Sequence, residues 1–315
     1  MHTKKIAIVG GAGFIGSHLV NLYCNTDSAV HVFDNFSTGN VEFIKSNSNL
    51  TIHTGDILNF QEISKFVDDV KPDVLFHLAA VHYIPQCEEN PNEAIRINIE
   101  GTQNVLTACA GKVARLIFTS TGAIYSPEIQ TSLNENEVID TRDVYGMTKF
   151  AAEKLVEHHD RKGRGETVIA RLFNAVGTNE TNPHLIPAIL DQLEEGKTDV
   201  ELGNLYPKRD YIHVDDIAAG LKSLADFDKF TKDKIFNVGS GTERSIQDLI
   251  DIFREVTELD IKVIQVKSRM RKNDRKSQLA DISQLTNQTN WKPERDVNLA
   301  ISQIWEELKI TNSKN

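Results

Sequence analysis

The sequence predicts an α/β protein: a doubly wound parallel sheet with a smaller α/β lobe towards the C-terminus. Three observations carry that expectation. Short continuous apolar runs, typical of strands buried on both faces, alternate with segments of helical period as far as about residue 174. A glycine-rich turn, Gly10-Gly11-Ala12-Gly13-Phe14-Ile15-Gly16, separates the first such run from the first helix. After Asn174 the alternation breaks, and the stretch 178–187 is rich in Asn, Thr and Pro, a loop composition that leaves the sheet. Alternating strands and helices with short connections imply right-handed crossovers and parallel pairing.

Taken in order, Lys5 to Val9 reads as a buried strand and about Phe14 to Cys24 as an amphipathic helix. Strand, glycine turn and helix together form a dinucleotide-binding signature, here with GxxGxxG spacing. Gly10 permits the tight turn, Gly13 lets backbone approach a pyrophosphate at the helix N-terminus, and Gly16 lets helix and strand pack closely. The second strand, Ala29 to Phe33, ends in Asp34, a carboxylate placed to accept the ribose hydroxyls of an adenosine and to repel the extra phosphate of NADP. NAD is therefore the expected cofactor. A polar loop through Asn35, Ser37, Thr38 and Gly39 follows. A short strand near Leu50 to His53 leads to Gly55-Asp56-Ile57, where Asp56 suits either an adenine amino group or a helix N-cap before about Asn59 to Val67. Asp73 to His77 is the next strand, running into Leu78-Ala79-Ala80, small enough at the end for a cofactor to lie against backbone.

Helical periodicity covers Pro91 to Cys109, including Asn98, and Arg115 to Phe118 is a strand ending at Thr119-Ser120-Thr121. A helix over Val144 to His159 precedes a strand over Thr167 to Leu172. The large domain is thus expected over 1–174, with return segments at about 210–225 and 234–257; segments 175–209 and 258–315 make the lobe. Within the lobe lie a helix at about Ile186 to Glu195, a short strand at Asp199 to Leu202, and a basic run from Lys267 to Lys276. A strand at Lys234 to Val238 and a helix at Ser245 to Thr257, capped by Ser245, belong to the return.

Tyr145 and Lys149 lie four apart, on one face of their helix. An ammonium one turn from a phenol favours the phenolate, and a hydroxyl from Thr121 can bond the same substrate oxygen. Together they suit a general base that removes an alcohol proton while hydride leaves the carbon.

The chain has 315 residues, 40% hydrophobic and 25% charged, with net charge −10. That balance argues against a general nucleic-acid binder, which needs a basic face. Cys24, Cys87 and Cys109 are scattered, with no CxxC pair, so neither a disulfide framework nor a bound metal is expected and the cysteines fit a reducing compartment. No apolar run is long enough to span a bilayer, and a strand beginning near Lys4 leaves no room for a signal peptide. The expected location is the cytoplasm.

These residues, in this order, resemble the extended short-chain dehydrogenase/reductases, in the nucleotide-sugar epimerase and dehydratase branch. The resemblance runs through Gly10, Gly13 and Gly16, Asp34, Gly55-Asp56-Ile57, His77-Leu78-Ala79-Ala80, Asn98 with Gly101-Thr102, Thr121, Tyr145 with Lys149, and Arg171-Leu172-Phe173-Asn174. It continues through Arg209-Asp210-Tyr211-Ile212-His213-Val214-Asp215-Asp216, Ala280-Asp281-Ile282-Ser283 and Trp291-Lys292-Pro293. It implies a Rossmann-type NAD-binding domain, a nucleotide-sugar-binding lobe, and Thr121, Tyr145 and Lys149 as catalytic residues. Phe14, Ile15, Asn35, Ser37, Thr38, Gly39, Asp56, Ile57, Leu78, Ala79, Ala80 and Asn98 join the glycines, Asp34, Tyr145 and Lys149 as cofactor contacts. His82, Thr121, Asn174, Leu185, Arg209, Arg271 and Gln278 are implied as substrate contacts, Arg271 at the diphosphate and Gln278 opposite the sugar's C2 substituent.

Dehydratases of this group place an Asp-Glu pair after the Thr, and related decarboxylases a Glu; here Gly122-Ala123 follows. Elimination and decarboxylation need a further acid or base, so the resemblance points to a 4-epimerase, acting on a UDP-sugar through a 4-keto intermediate. Three features depart from the pattern: Ser126 after the Ile-Tyr pair, His82 in place of a lysine, and Gly203 to Arg209, which is reminiscent of dehydratases. A 4,6-dehydratase or keto-sugar reductase is the alternative within the family, and a silent NAD-binding sensor the alternative outside enzymes. Pairing of the helices 91–109 and 144–159 from two protomers would give a homodimer through a four-helix bundle.

Overall fold

The computed structural model describes residues 3–228, 230, 234–270 and 275–312. Its centre is a seven-stranded parallel sheet of β1 (Lys5–Val9), β2 (Ala29–Asp34), β3 (Leu50–Thr54), β4 (Val74–His77), β5 (Arg115–Thr121), β6 (Glu166–Leu172) and, after an excursion, β10 (Ile235–Val238). The spatial order is β3-β2-β1-β4-β5-β6-β10, so direction of winding reverses between β1 and β4. A crevice opens there beyond the strand C-termini, the place where such sheets take ligands. The register pairs Val9 with both Phe33 and His77, which brings the glycine turn beside the ends of β2 and β4.

Successive side chains of a strand point to opposite faces, and each face has its own core. Ile6, Ile8, Val30, Val32, Phe76 and Ile117 pack under α1 (Phe14–Cys24) and α8 (Val214–Asp226). Ala7, Val9, Phe33, Leu75 and Phe118 pack on the other face under α2 (Phe60–Val70), α5 (Thr102–Cys109) and α6 (Val144–Arg161).

The segment expected as one helix from Pro91 to Cys109 is interrupted. After α3 (Ile84–Glu89) and α4 (Pro91–Ile95) comes a π-helical turn, Arg96–Gly101, before α5 begins. The wide turn carries Asn98, whose side chain bonds both backbone groups of Val81 (2.9 Å each). Turns of this kind often occur at functional sites.

The smaller lobe has its own apolar core. β7 (Asn174–Val176), α7 (Leu185–Glu194), β8 (Asp199–Leu202), β9 (Lys208–His213), β11 (Glu243–Ser245), α9 (Ile246–Thr257), β12 (Lys262–Gln265) and α11 (Val297–Asn312) build it. Here the packing departs from the sequence reading. Leu249, Ile250 and Phe253 of α9, expected with the large sheet, are buried against Ile189, Leu190 and Val200 of the lobe. Conversely Leu285 of α10 (Ser283–Thr289) and Trp291 pack against the large-sheet core. An amphipathic pattern says that a helix buries one face, not which sheet covers it. Ser245 does cap α9, in a capping box with Asp248.

Candidate active site

The glycine turn forms as its chemistry requires. Gly10 has φ +82, and a Cβ there would stand 2.5 Å from the backbone nitrogen of Ala79. At Gly16 a Cβ would stand 2.1 Å from the Gly10 carbonyl. Gly13 differs: a Cβ would meet only the Gly10 carbonyl, at 3.5 Å, because that side faces the crevice. Gly13 is also the N-cap of α1 and offers no side-chain acceptor, so first-turn N–H groups remain available to an anion. This is a cradle that fits a dinucleotide pyrophosphate.

Asp34, at the end of β2, is buried and accepts from Ala12 N and Phe36 N, one through each oxygen (2.8 Å both). It thus joins the glycine turn to the following loop while lining the crevice. Asp56 accepts from Leu58 N (2.8 Å) and Asn35 Nδ2 (3.1 Å), whereas the cap of α2 is Asn59. Gly39 is needed for packing, since a Cβ there would run into Ala12 at 2.8 Å.

A single cleft of about 2070 Å³ runs from this cradle across the C-terminal edge of the sheet to the smaller lobe. Phe14, Ile15, Asn35, Ser37, Thr38, Gly39, Asp56, Ile57, Leu78, Ala79 and Ala80 line its cofactor end together with the glycines. Thr121, Tyr145, Lys149, His82, Asn174, Leu185, Arg209 and Gln278 also line it. Asn98 does not. It is buried behind the cleft, bonded to Val81 and to Thr148 Oγ1 (2.9 Å), so it holds the β4 extension in place instead of reaching a ligand. Arg271 lies outside the described residues.

Thr121 is the last residue of β5, and Tyr145 and Lys149 lie in the first turns of α6, whose N-cap Asp143 accepts from Gly146 N at 2.7 Å. The Tyr145 side chain lies beside that of Thr121, whose Oγ1 accepts from Ala123 N at 3.1 Å. Burial pushes the Tyr145 phenol well above its ordinary range, and the neighbouring Thr121 hydroxyl only partly offsets this. The expected lowering by Lys149 does not prevail, because the ammonium is desolvated in the same place. Burial brings Lys149 down to about 7, with only Glu153 pulling the other way. Glu153 is engaged elsewhere: fully buried, it holds Arg171 through Nε (3.0 Å) and Nη2 (2.8 Å). The Lys149 Nζ stands 4.2 Å from the centre of the Phe118 ring. A lysine poised near neutrality beside a Tyr–Thr pair can carry or release a proton at little cost.

The residues after Thr121 carry no carboxylate. Over Gly122 lie the Gln278 amide and the Phe173 ring. His82 has its pKa lowered to about 4 by burial, then by His184 and Lys149, and its Nε2 pairs with Asn182 Nδ2 at 3.1 Å. Asn174 donates to the Asp210 carbonyl (3.0 Å). Asp210 itself is a knot, accepting from Ser240, Gly241 and Ala280.

Sequence reasoning missed Arg275. Burial and the adjacent Arg209 bring its pKa down to about 10, and its Nη1 is buried without a partner. Arg209 donates to the Arg275 carbonyl (2.7 Å), and Arg275 donates to the Tyr125 carbonyl, so the two guanidiniums form a cationic corner of the cleft. A basic run in the sequence signals such an arginine, but not which one turns inward.

Residues 6–239 match the description NAD dependent epimerase/dehydratase family. The chain belongs to that family. Its cofactor is NAD, in keeping with the cradle and with Asp34. Among relatives of this epimerase/dehydratase, a UDP-glucose 4-epimerase of Rhizobium leguminosarum bv. trifolii is 27% identical, covering 97% of this chain and 98% of its own. A solved UDP-N-acetylglucosamine 4-epimerase from Methanobrevibacter ruminantium M1, in complex with UDP-N-acetylmuramic acid, superposes with TM-score 0.89 at 28% identity over 100% of both chains. A UDP-glucuronic acid 4-epimerase from Bacillus cereus, with UDP-glucuronic acid and NAD, gives TM-score 0.86 at 26% identity over 98% of this chain and 99% of that one.

Proposed function

We propose that the protein is an NAD-dependent UDP-sugar 4-epimerase. The observation that carries this reading is Tyr145 facing the Thr121 hydroxyl beside a buried, near-neutral Lys149, with Gly122-Ala123 where elimination chemistry would require an acid. The relatives named above, all 4-epimerases of UDP-sugars, support it.

Gly10, Gly13 and Gly16, Asp34 and the Leu78–Ala80 segment hold the cofactor, which when bound supplies the hydride acceptor and donor for C4. Tyr145 acts as the phenolate once its own proton has passed to the near-neutral Lys149, takes the C4 hydroxyl proton and later returns it; Thr121 orients that oxygen, and the Lys149 ammonium stabilises the phenolate before that proton arrives and after it leaves. Arg209 and Arg275 bind the diphosphate, and Asn174 and Leu185 contact the nucleotide sugar. Between the two hydride steps the keto sugar presents its other face, which the wide cleft allows.

The test is incubation with UDP-glucose, UDP-N-acetylglucosamine and UDP-glucuronic acid, with epimers resolved by NMR. Interconversion of C4 epimers without net change in reduced-nicotinamide absorbance is expected. A dehydrated product, or stoichiometric oxidation of NADH or NADPH, would instead mark a dehydratase or reductase.

A homodimer through a four-helix bundle is part of the same proposal. Ile95 of α4 and Met147 of α6 are about half exposed, at 47% and 50%, on adjacent helices. A second copy would cover them. A monomeric mass by light scattering at micromolar concentration would refute it.

A further inference from the structure

Three side chains of metal-ligand type converge in the cleft, apart from the Tyr–Thr–Lys set but with His82 within electrostatic reach of Lys149. His82 follows the Leu78–Ala80 stretch, while Glu180 and His184 flank Asn182 on the loop that enters α7. Ligand-capable atoms of all three lie within 4.8 Å of one another, and none of the three side chains is fully buried or fully exposed.

The loop is shaped to bring them together. Asn179 takes a left-handed φ of 71 and turns the chain. Asn182 N donates to Glu180 Oε1 (2.8 Å) and His184 N to the Asn182 carbonyl (2.7 Å), which sets residues 180 and 184 on one side. The Tyr83 ring meets His184 edge-on at 5.3 Å, and the His82 and His184 rings lie 5.9 Å apart at 33°. Between the acceptors stands one donor: Asn182 Nδ2 is 3.1 Å from His82 Nε2 and 3.4 Å from Glu180 Oε1. An imidazole nitrogen and a carboxylate that share one neutral side-chain donor, the carboxylate being held by Asn182 N as well, form a site that a cation satisfies more strongly.

We propose that His82, Glu180 and His184 form a binding site for a divalent transition ion of the zinc class, held in place of the Asn182 amide and open to the cleft. Two imidazoles and a carboxylate are a donor set that suits zinc and leaves a fourth position open. Ligand atoms on a tetrahedral zinc stand about 3.4 Å apart, so an ion draws these atoms, which lie within 4.8 Å of one another, closer together. The fourth position faces the cleft and takes a water or an oxygen of a bound molecule. The binding itself does not depend on which sugar the protein turns over.

The experiment uses tag-free protein carrying NAD, stripped with a chelator and titrated with Zn²⁺ and Co²⁺ by calorimetry, and with Co²⁺ also by visible absorption. One saturable equivalent per chain and a cobalt band of a nitrogen- and oxygen-ligated ion are expected. His184→Ala and Glu180→Gln should each weaken binding by more than about 10-fold, the least that loss of even a supporting partner costs at such sites. Asn182→Ala, which removes the competing donor, should keep or raise the affinity, and it decides the matter where a ligand variant fails to fold. Absence of saturable binding overturns the proposal, as does undiminished binding by both ligand variants or loss of binding in Asn182→Ala.

Discussion

Gln278 and Gly122 share one small space: a Cβ on Gly122 would stand 3.1 Å from Gln278 Nε2 and equally close to the Phe173 ring. Gln278 is buried, and its backbone pairs with Lys208 and Asp210 of β9, so its side chain is fixed over the residue that follows Thr121. An acid at position 122 would have to displace that amide. Gln278 lines the cleft beside Gly122, next to Thr121. If it borders the sugar ring, Gln278→Tyr should depress turnover of UDP-N-acetylglucosamine more than that of UDP-glucose, because the added ring overlaps the acetamido group and not a hydroxyl. The readout is the ratio of the two kcat/KM values; an unchanged ratio, with both substrates turned over, would place Gln278 outside the sugar pocket.

The glycine turn separates packing from ligand contact. Gly16→Ala drives a methyl into the Gly10 carbonyl and should lower the melting temperature and abolish NAD binding together. Gly13→Ala meets an ordinary 3.5 Å contact, so it should fold with near-normal stability and yet bind NAD about 10-fold more weakly, a loss of about 1.4 kcal/mol. Equal losses of stability in the two variants would contradict the crevice-facing role of Gly13.

Lys149 links stability to pH. Its folded pKa of about 7 lies below the value of about 10.4 for an unfolded lysine. Between these values the unfolded chain binds more protons, so this residue makes stability rise with pH across that window, with its full penalty below pH 7. Lys149→Met should accordingly melt higher than the parent at pH 6, with the gain shrinking towards pH 10, while kcat falls by at least about 100-fold. Thermal melts across pH, taken alongside kcat, test both halves; a variant that melts lower at pH 6 would refute the desolvated-lysine account.

Asp34 bears on cofactor choice. A 2′-phosphate would bring like charge against a carboxylate already fixed by Ala12 N and Phe36 N, which cannot swing away without freeing two loops. Calorimetry should show NAD bound at least about 10-fold more tightly than NADP, or about 1.4 kcal/mol. Equal affinities would refute this reading.

The strands and the glycine turn were legible in the sequence because their signals are local. A run such as Ile6-Ala7-Ile8-Val9 has few alternatives to a buried strand, while Gly10 is demanded locally by its positive φ and Gly16 by contacts within its own turn. Tyr145 and Lys149 could be paired from spacing alone, since a helix fixes which residues share a face. What needed tertiary structure was everything set by approach of distant segments. Burial of Lys149 near neutrality depends on Phe118 and on Arg171 engaging Glu153. Likewise Asn98 bonds Val81 because a π turn widens its helix, and Arg275 turns inward beside Arg209. The core that α9 joins and the convergence of His82 on Glu180 and His184 belong to the same class. Desolvation and cross-chain contact are sums over neighbours far apart in sequence, so no local pattern encodes them.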